Sequence, residues 1–112
     1  MEINIIDNSD LVLAELEKKI EKALEKCGNT AVSNAKQNIE RAGRIDSGTM
    51  INSITHQVET GESAVYVGTN VEYAIYNEVG TTKMAPIHFL KNSISEHIPQ
   101  YKGIIEETLK SD

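Results

Sequence analysis

The feature that most constrains this chain is a stripe of apolar and small residues at helical spacing. Leu13, Leu16, Ile20, Leu24, Cys27, Ala31, Ala35, Ile39 and Ala42 follow one another at gaps of three or four residues, averaging about 3.6, the α-helical period. Between them lie Glu15, Lys18, Lys19, Glu21, Lys22, Glu25 and Lys26. After Cys27 the stripe shrinks from Leu and Ile to Ala, which predicts another element packed closely against its second half. Gly28 is the weak point, since Gly costs about 1 kcal/mol relative to Ala inside a helix. The stripe nevertheless keeps phase through it. A straight helix over 10–42 is roughly 50 Å long, whereas a compact domain of 112 residues is only about 35 Å across. The helix therefore either kinks near Gly28 or overhangs its own domain and offers apolar surface to another chain.

That length predicts a single domain over 1–112 with one modest core. With four Tyr, one Phe and no Trp, the core must be aliphatic. The net charge of −6 argues against a sequence-independent nucleic-acid binder, which needs a basic face to release phosphate counterions. A single Cys excludes an intrachain disulfide and a Cys-based zinc site. No apolar run approaches the ~20 residues of a membrane span. The start MEINIID lacks the basic-then-apolar order of a signal peptide. The composition is that of a small, acidic, soluble, cytosolic chain.

The remaining elements follow from local pattern. Ile3, Ile5 and Ile6 alternate like a brief strand, and Asp7-Asn8-Ser9-Asp10 reads as a turn rich in N-cap residues. Met50, Ile51 and Ile54 give one helical turn. Residues 54–59 and 64–69 are strands joined by the turn Thr60-Gly61-Glu62-Ser63. Asn70 can cap a short helix in which Val71, Ala74, Ile75 and Val79 share a face, ended by Gly80. Thr81 to Pro86 is a loop. Leu90, Ile94, Ile98, Tyr101, Ile105 and Leu109 return to helical spacing, kinked or split by Pro99.

No catalytic constellation emerges from the residues, and no cofactor or metal site. His56, His88 and His97 lack metal-ligand spacing. The simplest placement for His56 is the solvent face of a strand; His88 opens the last helix and His97 lies on its polar surface. Cys27, in phase with the stripe, reads as a buried small hydrophobe. Gly68 and Gly80 belong to turns and form no phosphate loop. Asp46-Ser47-Gly48-Thr49 is similar to the Asp-Ser/Thr-Gly loop of dimeric retroviral aspartic proteases. That mechanism needs an all-β dimer with two carboxylates sharing a proton, and here a long helix precedes the tripeptide. An N-cap turn is the simpler reading.

One stretch carries a resemblance. Gly68-Thr69-Asn70-Val71-Glu72-Tyr73-Ala74-Ile75-Tyr76-Asn77-Glu78-Val79-Gly80-Thr81-Thr82-Lys83-Met84-Ala85-Pro86, then Phe89-Leu90, resembles the signature of the tailed-phage tail-component family typified by gene product ten of the HK-ninety-seven phage. Upstream, Asp46-Ser47-Gly48-Thr49-Met50-Ile51-Asn52-Ser53-Ile54 is similar to that family's second conserved segment. The departures are His88 where the family has Pro, with Pro shifted to Pro86, and Met50 where it has Leu. The order of elements is also similar, and the resemblance spans nearly the whole chain.

The expected fold is α+β: a long N-terminal helix and a C-terminal helix packed on a small, mainly antiparallel sheet. The resemblance implies a non-enzymatic virion structural protein of a siphophage or prophage. It would join head to tail, or cap the tail, as a ring of six copies on the DNA path. Its partners would be copies of itself, the connector on the portal side and the tail-tube protein. DNA would pass without sequence-specific binding, and no membrane is involved. Its place would be the neck or head-proximal tail end, after assembly in the host cytoplasm. The residues expected to meet partners are Tyr73, Tyr76, Glu78, Gly80, Thr81 and Met84. Tyr has an apolar body and a polar tip suited to interfaces. Glu78, unfavourable near a helix C-terminus, should accept a specific hydrogen bond from a turn or a neighbouring subunit. The alternative function is a cytosolic protein-interaction module, with the Asp46 protease as a remote third.

Overall fold

A helix of 38 residues, α1 (Ile5–Ala42), is the backbone of the molecule. In this computed structural model the described residues are 5–43, 47–71, 74–83 and 85–110. α1 is followed by the short helix α2 (Ser47–Ser53) and by a hairpin of β1 (Thr55–Glu59) and β2 (Ala64–Gly68). Then come α3 (Ala74–Val79), α4 (Phe89–Ser95) and α5 (Ile98–Lys110). The fold is α+β, with a two-stranded antiparallel sheet between the helices.

α1 runs unbroken through Gly28. At ~1.5 Å per residue it is about 57 Å long, and the molecule measures 73 × 24 × 21 Å. Its radius of gyration is 18.5 Å, well above the ~13 Å of a compact domain of this size. The overhang expected from the stripe is thus real, and no break at Gly28 relieves it. The expected strand at the start is not formed. Ile5 and Ile6 lie in α1, as does the supposed turn 7–10, while Ile3 lies outside the described residues. No Gly or Pro interrupts the chain before Gly28.

The hairpin forms nearly where the pattern placed it, with Val58 opposite Val65 and His56 opposite Val67. Its turn is a 3₁₀ segment, Thr60–Glu62, closed by Ser63 at φ 51°. The core is one cluster of Ala35, Ile39, Met50, Ile54, Ala74 and Phe89, all buried, so it gathers at the C-terminal part of α1. α5 then runs back along α1. Tyr101 lies by Cys27 and Asn34, and Ile104 and Thr108 lie by Lys26 and Thr30. As expected, the last helical pattern is split. α4 ends at Ser95 and Pro99 sits in the first turn of α5, where its missing N–H breaks no bond.

Candidate functional site

The segment from α3 to α4 holds the residues expected to meet partners. Tyr73 and Met84 lie outside the described residues. Of the other four, Tyr76 and Thr81 face solvent, while Glu78 and Gly80 shape the chain. Gly80 has φ 79°, the left-handed conformation that Gly adopts without a Cβ penalty. Its N–H donates to the Tyr76 carbonyl at 2.8 Å. Thr81 Oγ1 accepts from the Lys83 N–H at 3.2 Å.

Glu78 turns inward. Its Oε1 accepts the Leu90 N–H at 2.7 Å and its Oε2 the Lys91 N–H at 3.1 Å. These are free donors in the first turn of α4, which begins after His88 with no side-chain cap of its own. A carboxylate there satisfies two orphan N–H groups and meets the positive end of the helix dipole. His88 Nδ1 stands 3.9 Å from the same carboxylate. Two backbone bonds reinforce the clip, Ile87 N–H to the Asn77 carbonyl at 2.7 Å and His88 N–H to the Glu78 carbonyl at 3.2 Å. The expected hydrogen bond therefore comes from the following helix. The loop between Gly80 and Pro86 is thus held where it leaves α3 and where it approaches α4.

The expected apolar face of α3 is corrected. Ala74 and Asn77 are buried, whereas Ile75 and Val79 are each 60% exposed and Tyr76 54%. α3 has only six residues. The clip at its end fixes which side turns inward, so three large side chains are displayed.

His56 is also placed differently from expectation. It lies on the inner side of the hairpin, and its Nε2 is 2.7 Å from Glu25 Oε2 on α1. Its ring rests directly on Gly28. A Cβ built at Gly28 would lie 2.6 Å from the His56 Cγ, far inside contact distance. Gly28 is thus a site of close approach between helix and hairpin. Next to it Cys27 is buried, as expected; burial raises the thiol's pKa above its ordinary value, and Sγ lies 3.9 Å from the Tyr101 carbonyl. His97 lies in the turn between α4 and α5, off the helix surface expected for it.

Two polar links escaped the sequence reading. Asn34 Nδ2 donates to the Tyr101 hydroxyl at 3.1 Å and to Gln100 Oε1 at 3.2 Å, and the Tyr101 hydroxyl donates to the Ser93 carbonyl. Burial raises the Tyr101 pKa, partly opposed by the Asn34 bond. The second link joins Ser53 and Thr69 through their hydroxyls, with Thr69 Oγ1 also taking the Val71 N–H at 3.1 Å. Both residues belong to the two segments that carry the family resemblance, and Met50, Ile54 and Ala74 of those segments share the core.

Asp46 lies outside the described residues. A two-stranded sheet is not the all-β frame of the dimeric proteases. Among the described residues no group of three His, Cys, Asp or Glu is placed to hold a metal ion. None of their helices is long and apolar enough to cross a membrane. The α3–α4 segment displays Ile75, Tyr76 and Val79 to solvent beside a loop held where it joins both helices.

A family model describing a class of bacteriophage tail components matches the chain. The model of the family described as "Bacteriophage HK97-gp10, putative tail-component" matches residues 5–80, more than half of the chain, and the chain belongs to that family. The match takes in both resembling segments as far as Gly80. No curated protein and no solved structure matches the chain.

Proposed function

We propose that this chain joins head to tail, or caps the tail, of a siphophage or prophage virion as a ring of copies, six in number, on the DNA path. The observation that carries the reading is the family match over 5–80 on a rod 73 Å long. That rod leaves large apolar residues uncovered both at the free end of α1 and on α3. A single chain cannot cover these surfaces, and a ring of copies between connector and tail tube does. The whole of 1–112 acts as one structural, non-enzymatic unit. Tyr73, Tyr76, Thr81 and Met84 form the partner-facing surface, and Glu78 and Gly80 hold its shape. The net charge of −6 suits a conduit through which DNA slides, because a basic lumen would hold phosphates. Assembly takes place in host cytoplasm and the product stays in the virion neck.

The test is electron microscopy of particles made with the gene deleted. The expected result is filled heads and tails left unjoined or unterminated, with the protein located at the neck by gold labelling when it is restored. Heads and tails joined at normal yield without it would overturn the reading. In the same assay Tyr76→Ala with Thr81→Ala should lower infectious titre at least tenfold while leaving the melting temperature unchanged.

A further inference from the structure

We infer that the β1–β2 hairpin is a hinged flap that swings off α1 as one unit while the core beside it stays folded. The motion does not depend on the ring reading. The two strands leave the core at one point. The hydroxyls of Ser53, just before β1, and Thr69, just after β2, bond to each other, and Ile54 beside them is buried. That is the hinge. Beyond it no residue of 55–68 is buried. A two-stranded hairpin is marginal in water by itself, so its hold on α1 decides whether it stays down. Among the described residues one polar link ties the hairpin to α1, His56 Nε2 to Glu25 Oε2 at 2.7 Å, and the Glu25 side chain is 51% exposed.

The space beneath the strands is poorly filled. A hollow of about 210 Å³ lies between Val65 and Val67 of β2 and Leu24, Cys27 and Ala31 of α1, with Tyr101 on its far wall. A second, of about 530 Å³, separates the hairpin tip at Thr60, Gly61 and Ser63 from Ala14 and Ile20. Leu24 lines both. Close-packed interiors leave little such space, and side chains that face a gap forfeit the dispersion contacts that resist separation. The hairpin is seated where the His56 ring meets Gly28 and at its base, where Val67 packs on the core. The far wall of the first hollow is better held. Asn34 bonds Gln100 and Tyr101, and the Tyr101 hydroxyl donates to the Ser93 carbonyl, so α5 stays on α1 when the hairpin lifts. A segment with few buried apolar contacts opens at lower free energy than the whole molecule unfolds. Lifting bares Leu24, Cys27 and Ala31, so the flap controls access to an apolar strip of α1 while Ile39, Met50 and Phe89 remain packed.

Cys27, the chain's one cysteine, reports the motion. It is 5% exposed with the flap down, and burial raises its thiol pKa, so an aromatic disulfide reagent reacts with the open form. The test follows Cys27 labelling and backbone amide exchange of the full chain under native conditions. Labelling should run at least roughly tenfold faster than global unfolding permits. The hydrogen-bonded amides of β1 and β2 should exchange through the same opening, while those of Ala35 and Ile39 hold to the global limit. Urea below the unfolding transition should change the hairpin opening little, because little surface is newly exposed. Glu25→Ala should speed labelling about fivefold, the effect of losing one ordinary hydrogen bond, and leave Ile39 exchange unchanged. Val65→Ile, which adds a methylene toward the hollow, should slow it. The inference is overturned if Cys27 labels only with the rate and urea dependence of global unfolding, or if Glu25→Ala leaves labelling unchanged. Fast labelling with the strand amides at the global limit also overturns it, because α5 and not the hairpin is then the part that lifts.

Discussion

The two halves of α1 are made of different stuff and meet different fates. Between Ala23 and Ile39 the stripe is mostly small, and Ala23, Cys27, Ala31, Ala35 and Ile39 are all at most 6% exposed. Between Leu13 and Ile20 it is made of larger residues, yet Leu13 and Leu16 are largely in solvent. Burial here follows proximity to partners more than side-chain hydrophobicity. Small residues let the hairpin, α4 and α5 approach one helix at close range, whereas Leu13 and Leu16 stay exposed among the described residues. The apolar surface they hold in reserve is the kind that marks interaction sites.

Substitutions should separate the halves sharply. The largest effect is expected from Ile39→Ala, which empties a fully buried position and should cost about 3 kcal/mol or more, read by urea denaturation. Gly28→Ala comes next. The added methyl collides with the His56 ring and should destabilise by about 1–3 kcal/mol. In a His56→Ala background the same change should reverse sign, since only the helix preference for Ala, about 1 kcal/mol, remains. If the sign does not reverse, the close approach of hairpin to helix is not what places Gly at 28. Glu78→Gln should follow at about 1 kcal/mol, because an amide replaces a charged cap on α4; backbone amide exchange at Leu90 and Lys91 should quicken. The smallest effect is expected from Leu13→Ala with Leu16→Ala, within about 0.5 kcal/mol for the monomer. A loss near that of Ile39→Ala would erase the contrast and show the tip packed in the isolated chain.

Signals that live within a few residues were legible in the sequence. The 3.6 period from Leu13 to Ala42, the turn after Glu59, the left-handed Gly80 and the split near Pro99 all appear in the structure. Ile5 and Ile6 misled because a three-residue alternation is too short to tell strand from the first turn of a helix. His56 misled because its partners, Glu25 and Gly28, are roughly thirty residues away along the chain, and nothing near it records them. Ile75 and Val79 misled for a related reason. Their spacing fits a buried face, but the inward side of so short a helix is set by Asn77 and Glu78 bonding to the chain beyond it. At the candidate site, the end of α3 at Gly80 was readable from residue type. The inward role of Glu78 emerged only once α4 was in place.

The bare α-carbon of Gly28 has a mechanical consequence. With no methyl to hold the imidazole away, the hairpin closes on α1 at His56 and lies along it as far as Ala14, so the overhang of α1 beyond that seat is about 14 Å. On that arm a 5° tilt of the seat moves the tip by ~1 Å. A tighter seat keeps the tip aimed. One hydrogen in place of a side chain thus bears on how steadily a distant end of the molecule is held.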